Sequence, residues 1–146
     1  MNNGIQGRRK TREKIIQFLF QVDFNPEPLE QALKDFWFEN KLSKKELNFA
    51  ENIIKGVIEK KDHLDDKISN YTKNWDADRL ASVDRVVLRL ALYEMLYCDD
   101  IPLIVSINEA VHFAKDLSSF QSGRFVNGIL DKIKKEIDRP SRLPNI

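Results

Sequence analysis

Over residues 79–97, RLASVDRVVLRLALYEMLY, apolar side chains fall on nearly every side of a helical wheel. Val83, Val86, Val87, Leu90 and Ala91 follow helical spacing, while Leu88, Leu92, Met95 and Leu96 fill the other faces. A helix that is apolar all round must be covered on several sides, and each large side chain buried there is worth roughly 1.5–3 kcal/mol. Arg85 and Arg89 lie one turn apart on the same stripe. They repel unless carboxylates or an outside partner supply negative charge.

The rest of the chain reads as amphipathic helices around this one. Ile15, Ile16, Phe18, Leu19, Phe20, Val22 and Phe24 keep helical spacing until Asn25-Pro26 stops it. Pro28 opens a second helix, with Leu29, Ala32, Leu33, Phe36 and Trp37 on its inner face and an end near Asn40. Ser43-Lys44-Lys45-Glu46 reads as a capping box with a Leu42–Leu47 staple. The helix it starts is lined by Leu47, Ala50, Ile54, Val57 and Ile58, and Gly56 either weakens it or admits a neighbour. A fourth segment, from Asp62 to about Thr72, either continues the third or is kinked from it. Asp76, Asp78 and Ser82 are cap candidates before the apolar helix, with Asp84 in its first turn. Ile101-Pro102 cannot continue that helix beyond about Cys98. Ser106-Ile107-Asn108-Glu109 reads as a second capping box opening a helix to about Leu117, and Ser122 as the cap of a last helix that closes before Arg139-Pro140. No strand-length alternation competes. The expected fold is all-α: one bundle-like domain of about seven helices over 8–139, with flexible tails at 1–7 and 140–146.

Composition narrows the function more than the fold. At 146 residues the chain is the size of one domain, and its net charge of +1 predicts no partner by itself. One cysteine, Cys98, cannot staple a fold. No leader-like or membrane-length apolar run is present, so a cytoplasmic address is expected. His63 and His112 have no ligand-type spacing, and Asp65-Asp66 and Asp99-Asp100 fall in charged, solvated-looking stretches. No catalytic residue, metal site or cofactor is therefore predicted.

Two features remain. Arg8-Arg9-Lys10-Thr11-Arg12-Glu13-Lys14 places five cations beside one acid at the entry to the first helix. A helix N-terminus disfavours cations, and a polyanion would relieve that cost; the alternative is a solvated, frayed start. Near the other end, Ser122-Gly123-Arg124-Phe125-Val126-Asn127-Gly128 brings Arg124, an aromatic ring and an amide to a helix start. Arg124 can pair with phosphate, Phe125 can stack on a base and Asn127 can read a base edge. Equally, Phe125 can be core, Asn127 can bond to backbone and Gly128 can serve helix packing.

Four blocks in order resemble the NusB family of bacterial transcription antitermination factors: Arg8-Arg9-Lys10-Thr11-Arg12-Glu13 with Gln17 and Leu19; residues 83–94, VDRVVLRLALYE; Asp100-Ile101-Pro102 with Ile107-Asn108-Glu109-Ala110-Val111; and residues 125–131, FVNGILD. The resemblance implies an all-α domain that binds boxA-type single-stranded RNA of ribosomal RNA operon leaders. It further implies action with the small-subunit ribosomal protein NusE in the elongating RNA polymerase antitermination complex. By that likeness Arg8, Arg9, Lys10 and Arg12 hold phosphates, and Phe20 and Phe125 lie on or near the RNA surface. Asp84 and Arg85, at an exposed helix start, face the protein partner. Two other readings stay open, a helical protein-interaction domain and an RNA-anchoring fragment of a ribosomal RNA methyltransferase, and some family members form homodimers. With the chain ending at Ile146, no cofactor-binding domain is expected, and the methyltransferase reading requires the chain to be a fragment.

Overall fold

The periodicity of the chain becomes seven helices in the structure, a computed structural model that describes residues 3–73, 75 and 81–137. They are α1 (Asn3–Phe24), α2 (Leu29–Glu39), α3 (Lys44–Glu59), α4 (Lys61–Ser69), α5 (Ser82–Tyr97), α6 (Leu103–Leu117) and α7 (Phe120–Glu136). No strand occurs among the described residues. The expected caps at Asp76 and Asp78, and the tail from 140 on, lie outside them.

Several boundaries differ from the sequence reading for identifiable reasons. The first helix starts at Asn3, so the basic run lies beyond its first turn, where the helix-end field that disfavours cations has largely faded. Ser82 is the first residue of α5 rather than its cap; Ala81 holds that position in extended conformation without a side-chain bond. Pro102 caps the next helix, whose first residue, Leu103, lies three residues before the Ser106–Glu109 box. Proline's fixed φ suits a helix entry, so Ser106 lies inside α6. Ser119, not Ser122, caps α7, its Oγ accepting from the Ser122 amide at 3.0 Å. Ser43 does cap α3, accepting from the Glu46 amide at 3.3 Å. The break left open after α3 is one residue, Lys60, with both flanking i→i−4 backbone bonds kept at 2.9 Å.

The chain divides into two compact units, residues 1–55 and 56–146. In the first, Ile15, Ile16, Phe18, Leu19, Ala32, Leu33, Phe36, Ala50, Ile53 and Ile54 are buried. Phe18 and Phe36 meet edge to face, with centroids 5.4 Å apart, a geometry that suits the ring quadrupoles. Asn40 closes α2 through its own amide and side chain, both bonded to the Phe36 carbonyl, and accepts from Lys14 Nζ at 2.8 Å.

The second unit is built on α5. Val86, Val87, Leu88, Leu90, Ala91, Leu92 and Met95 are all buried, and α4, α6 and α7 each pack against the helix. Three charged residues of α5 are buried with them. Asp84 accepts from Ser122 Oγ of α7 at 3.2 Å. Arg89 makes a two-pronged pair with Asp65 of α4, Nε–Oδ1 2.7 Å and Nη2–Oδ2 3.0 Å. Glu94 accepts from Ser106 Oγ of α6 at 2.8 Å. Asp65 thus belongs to a packed ion pair rather than to a solvated acidic stretch, and it supplies the carboxylate that the arginine stripe required. Trp75 is buried, with the guanidinium carbons of Arg85 and Arg89 at 5.2 and 5.6 Å from its ring.

The end of α3 approaches α5 through Gly56, where an added Cβ would overlap the Tyr93 ring; at Gly128 a Cβ would meet nothing within 4 Å. Gly128 is therefore not a packing glycine. Replacing a mid-helix glycine by alanine gains about 0.5–1 kcal/mol of helix stability where space allows. Gly128→Ala is expected to raise stability by that amount, whereas Gly56→Ala is expected to lower it. In a Tyr93→Ala background Gly56→Ala is expected to become stabilising. Denaturant melts of the two single variants and the double variant decide this.

Candidate nucleic-acid interface

In the first unit, α1 sets Arg8 and Thr11 beside the first turns of α3. Arg8 Nε and Nη2 donate to Glu46 Oε1 and Oε2 at 3.1 and 3.4 Å. Its guanidinium carbon lies 3.7 Å from the Phe49 ring centroid, within the range of a cation–π stack. Thr11 Oγ1 is 2.7 Å from Glu46 Oε1 and 2.9 Å from the Gly7 carbonyl, so one hydroxyl proton serves both acceptors. Burial pushes the Glu46 carboxyl up, but the hydrogen bonds from Arg8 and Thr11 and the charges of Arg8 and Lys45 outweigh it and hold the group below its ordinary value.

The capping box at Ser43 is accordingly only half formed. Ser43 caps the Glu46 amide, while the Glu46 side chain turns to α1, where an arginine outcompetes a backbone amide for a carboxylate.

The other cations of the run part company. Arg9 and Lys10 are exposed. Arg12 is 4% exposed, with its guanidinium carbon 5.8 Å from the Phe49 centroid. Its side chain is packed, unlike those of Arg9 and Lys10. Phe20 is half-buried and its ring lies 4.9 Å from that of Phe24.

In the second unit Arg124 and Asn127 are exposed on α7, and Phe125 is half-buried. Asp84 and Arg85 do not form an exposed pair. Arg85 is half-buried over Trp75, and Asp84 is 5% exposed. The Asp84 Oδ2 accepts from Ser122, whose hydroxyl in turn accepts from Ser118 at 2.9 Å and Ser119 at 3.2 Å. Its Oδ1 is buried without a hydrogen-bond partner. Asp84 is buried because Ser122, expected as the cap of the last helix, turns its hydroxyl to this carboxylate, with Ser118 and Ser119 behind it.

Glu46 and Phe49 are the site residues that the sequence reading missed. A signal existed, since Arg8 with Thr11 and Glu46 with Phe49 are each three apart, the spacing that puts two side chains on one helix face. Nothing local says that the two faces meet.

The fold places the chain in the all-α class, and no helix among the described residues is long and apolar enough to cross a membrane. The model of the NusB family matches residues 9–135. A transcription antitermination protein NusB of Methylacidiphilum infernorum (isolate V4) is 47% identical, the match covering 90% of this chain and 93% of that one. The solved NusB of T. maritima is 45% identical with a TM-score of 0.80, covering 88% of this chain and 91% of the other. A structure of the antitermination factors NusB and NusE in complex with double-stranded RNA also matches, with a TM-score of 0.79 over 89% of this chain and 97% of that one. Its identity is 24%, so it bears on the fold alone. The chain belongs to the NusB family.

Burial pushes the Asp84 carboxyl above its ordinary value of 3.8, and the Ser122 hydrogen bond only partly opposes this. A carboxyl raised in the folded state binds its proton more tightly there than in the unfolded chain. It therefore withdraws stability as pH rises from that ordinary value through the folded one. Asp84→Asn is expected to melt higher than the parent at pH 7, with the difference shrinking toward pH 4. Thermal melts across that range check it; a parallel offset at every pH would contradict the assignment.

Proposed function

We propose that this chain is a transcription antitermination factor that binds boxA-type single-stranded RNA together with the ribosomal protein NusE and joins the elongating RNA polymerase complex. The observation that carries the reading is the family match over residues 9–135, which takes in nearly all of the basic run and all the later helices. The role is one of binding and regulation in the cytoplasm.

On this reading the cations divide by burial. Arg9 and Lys10, exposed on α1, hold phosphates in solvent, and Arg8 holds one from a fixed position. Arg12, packed beside Phe49, supports the surface that the others use. Arg124 and Asn127 offer a second set of donors on α7, with Phe125 and Phe20 as ring surfaces for bases. Arg85 is the candidate contact for NusE, and Asp84 acts behind it by tying α5 to the start of α7.

The test is a titration of the purified chain on boxA-type and scrambled RNA, with and without NusE, at several salt concentrations. NusE is expected to sharpen the preference for boxA. Arg9→Ala with Lys10→Ala is expected to weaken binding at unchanged melting temperature. The slope of log affinity against log salt should flatten by about 0.7 for each single-strand phosphate that is no longer neutralised. Arg12→Ala is expected to lower the melting temperature as well, because it empties a packed position. Equal, weak binding of both RNAs with no effect of NusE would leave a helical interaction domain in place of the antitermination factor.

A further inference from the structure

Arg8 is held on three sides: the Glu46 carboxylate lies along its Nε–Nη2 edge, the Phe49 ring lies against its face, and Thr11 braces that carboxylate. The Arg8 and Glu46 side chains are 27% and 19% exposed, so the pair is partly shielded yet open to solvent. Resting on the RNA-binding reading above, we propose that Glu46 is a specificity-determining residue, which suppresses indiscriminate attachment of RNA at Arg8 while orienting that arginine for one geometry.

Two effects of the carboxylate act in different directions. Its charge cancels much of the field of Arg8 beyond the pair itself, and that field draws any phosphate regardless of sequence. Its hydrogen bonds, with the Phe49 stack, fix the guanidinium plane in advance, so rotamer freedom is already lost before RNA arrives. The first effect weakens binding to all RNAs alike. The second helps only an RNA whose phosphate or base edge falls where the remaining N–H groups point. The balance favours discrimination over affinity, and the lowered Glu46 carboxyl keeps the charge in place through the neutral range.

The experiment compares the parent chain with Glu46→Gln and Glu46→Asp on boxA-type and scrambled RNA in the presence of NusE, over a salt series, with a thermal melt of each protein. Glu46→Gln keeps the length and one acceptor oxygen but removes the charge. It is expected to bind scrambled RNA several-fold more tightly, with a salt slope steeper by about 0.7. Binding to boxA should change less, so that the ratio of the two affinities falls at least threefold. Glu46→Asp keeps the charge but shortens the reach to Arg8; scrambled RNA is expected to stay near the parent value while boxA binding drops. A purely structural Glu46 would lower the melting temperature and leave the ratio unchanged, which overturns the proposal. Failure of the parent chain itself to prefer boxA would overturn the RNA reading and this inference with it, whereas a discriminating parent with an unchanged ratio in Glu46→Gln overturns the inference alone.

Discussion

The second unit depends on one constraint: α5 is apolar on nearly every side and yet carries Asp84, Arg89 and Glu94 into the interior. A charge buried in that way is costly unless it is paired and hydrogen-bonded. The three residues are five apart, so each is rotated by about 140° from the one before it, and together they point to three sides of the helix. Each meets a different neighbour, through Ser122 of α7, Asp65 of α4 and Ser106 of α6. Apolar burial drives those helices onto α5 without direction, and the polar contacts give each a position along and around it. Loss of one partner would leave a buried charge alone, a heavier penalty than the loss of a surface hydrogen bond. Asp84 is the incomplete member of the set, with one oxygen unpartnered.

The same chemistry recurs in the first unit nearer to solvent. Glu46 gathers Arg8 and Thr11 as Asp65 gathers Arg89, but the side chains remain partly exposed. Screening by water makes such a pair weak as a source of stability. Its consequence is geometric: the Arg8 guanidinium is oriented, while the Arg9 and Lys10 side chains are exposed. A binding protein gains from that division, because solvated cations supply affinity and salt dependence and an oriented one supplies selectivity.

Seven helices, their order and nearly all their inner faces were legible in the chain, because helical periodicity is local and α5 has no polar side on which to lie. The resemblance in four blocks brought the family within reach as well. Boundaries were less legible: Ser43 caps α3, yet the same serine–glutamate pattern at Ser106 lies inside α6. The pattern describes a possible local bond, and it loses where proline has already begun the helix or where a buried Glu94 accepts the hydroxyl.

What the sequence by itself determined, then, was which segments are helical, which faces are apolar and that cations gather at residues 8–14. Only the tertiary structure decided which of those cations are solvated, that Arg12 and Asp84 are buried, and that Glu46, Phe49 and Trp75 matter. The reason lies in distance along the chain. Arg8 and Glu46 are 38 residues apart, as are Asp84 and Ser122, and Asp65 and Arg89 are 24 apart. A helix repeats within four residues and shows itself in any short window, whereas the partner of a charge is chosen by packing, which no window contains.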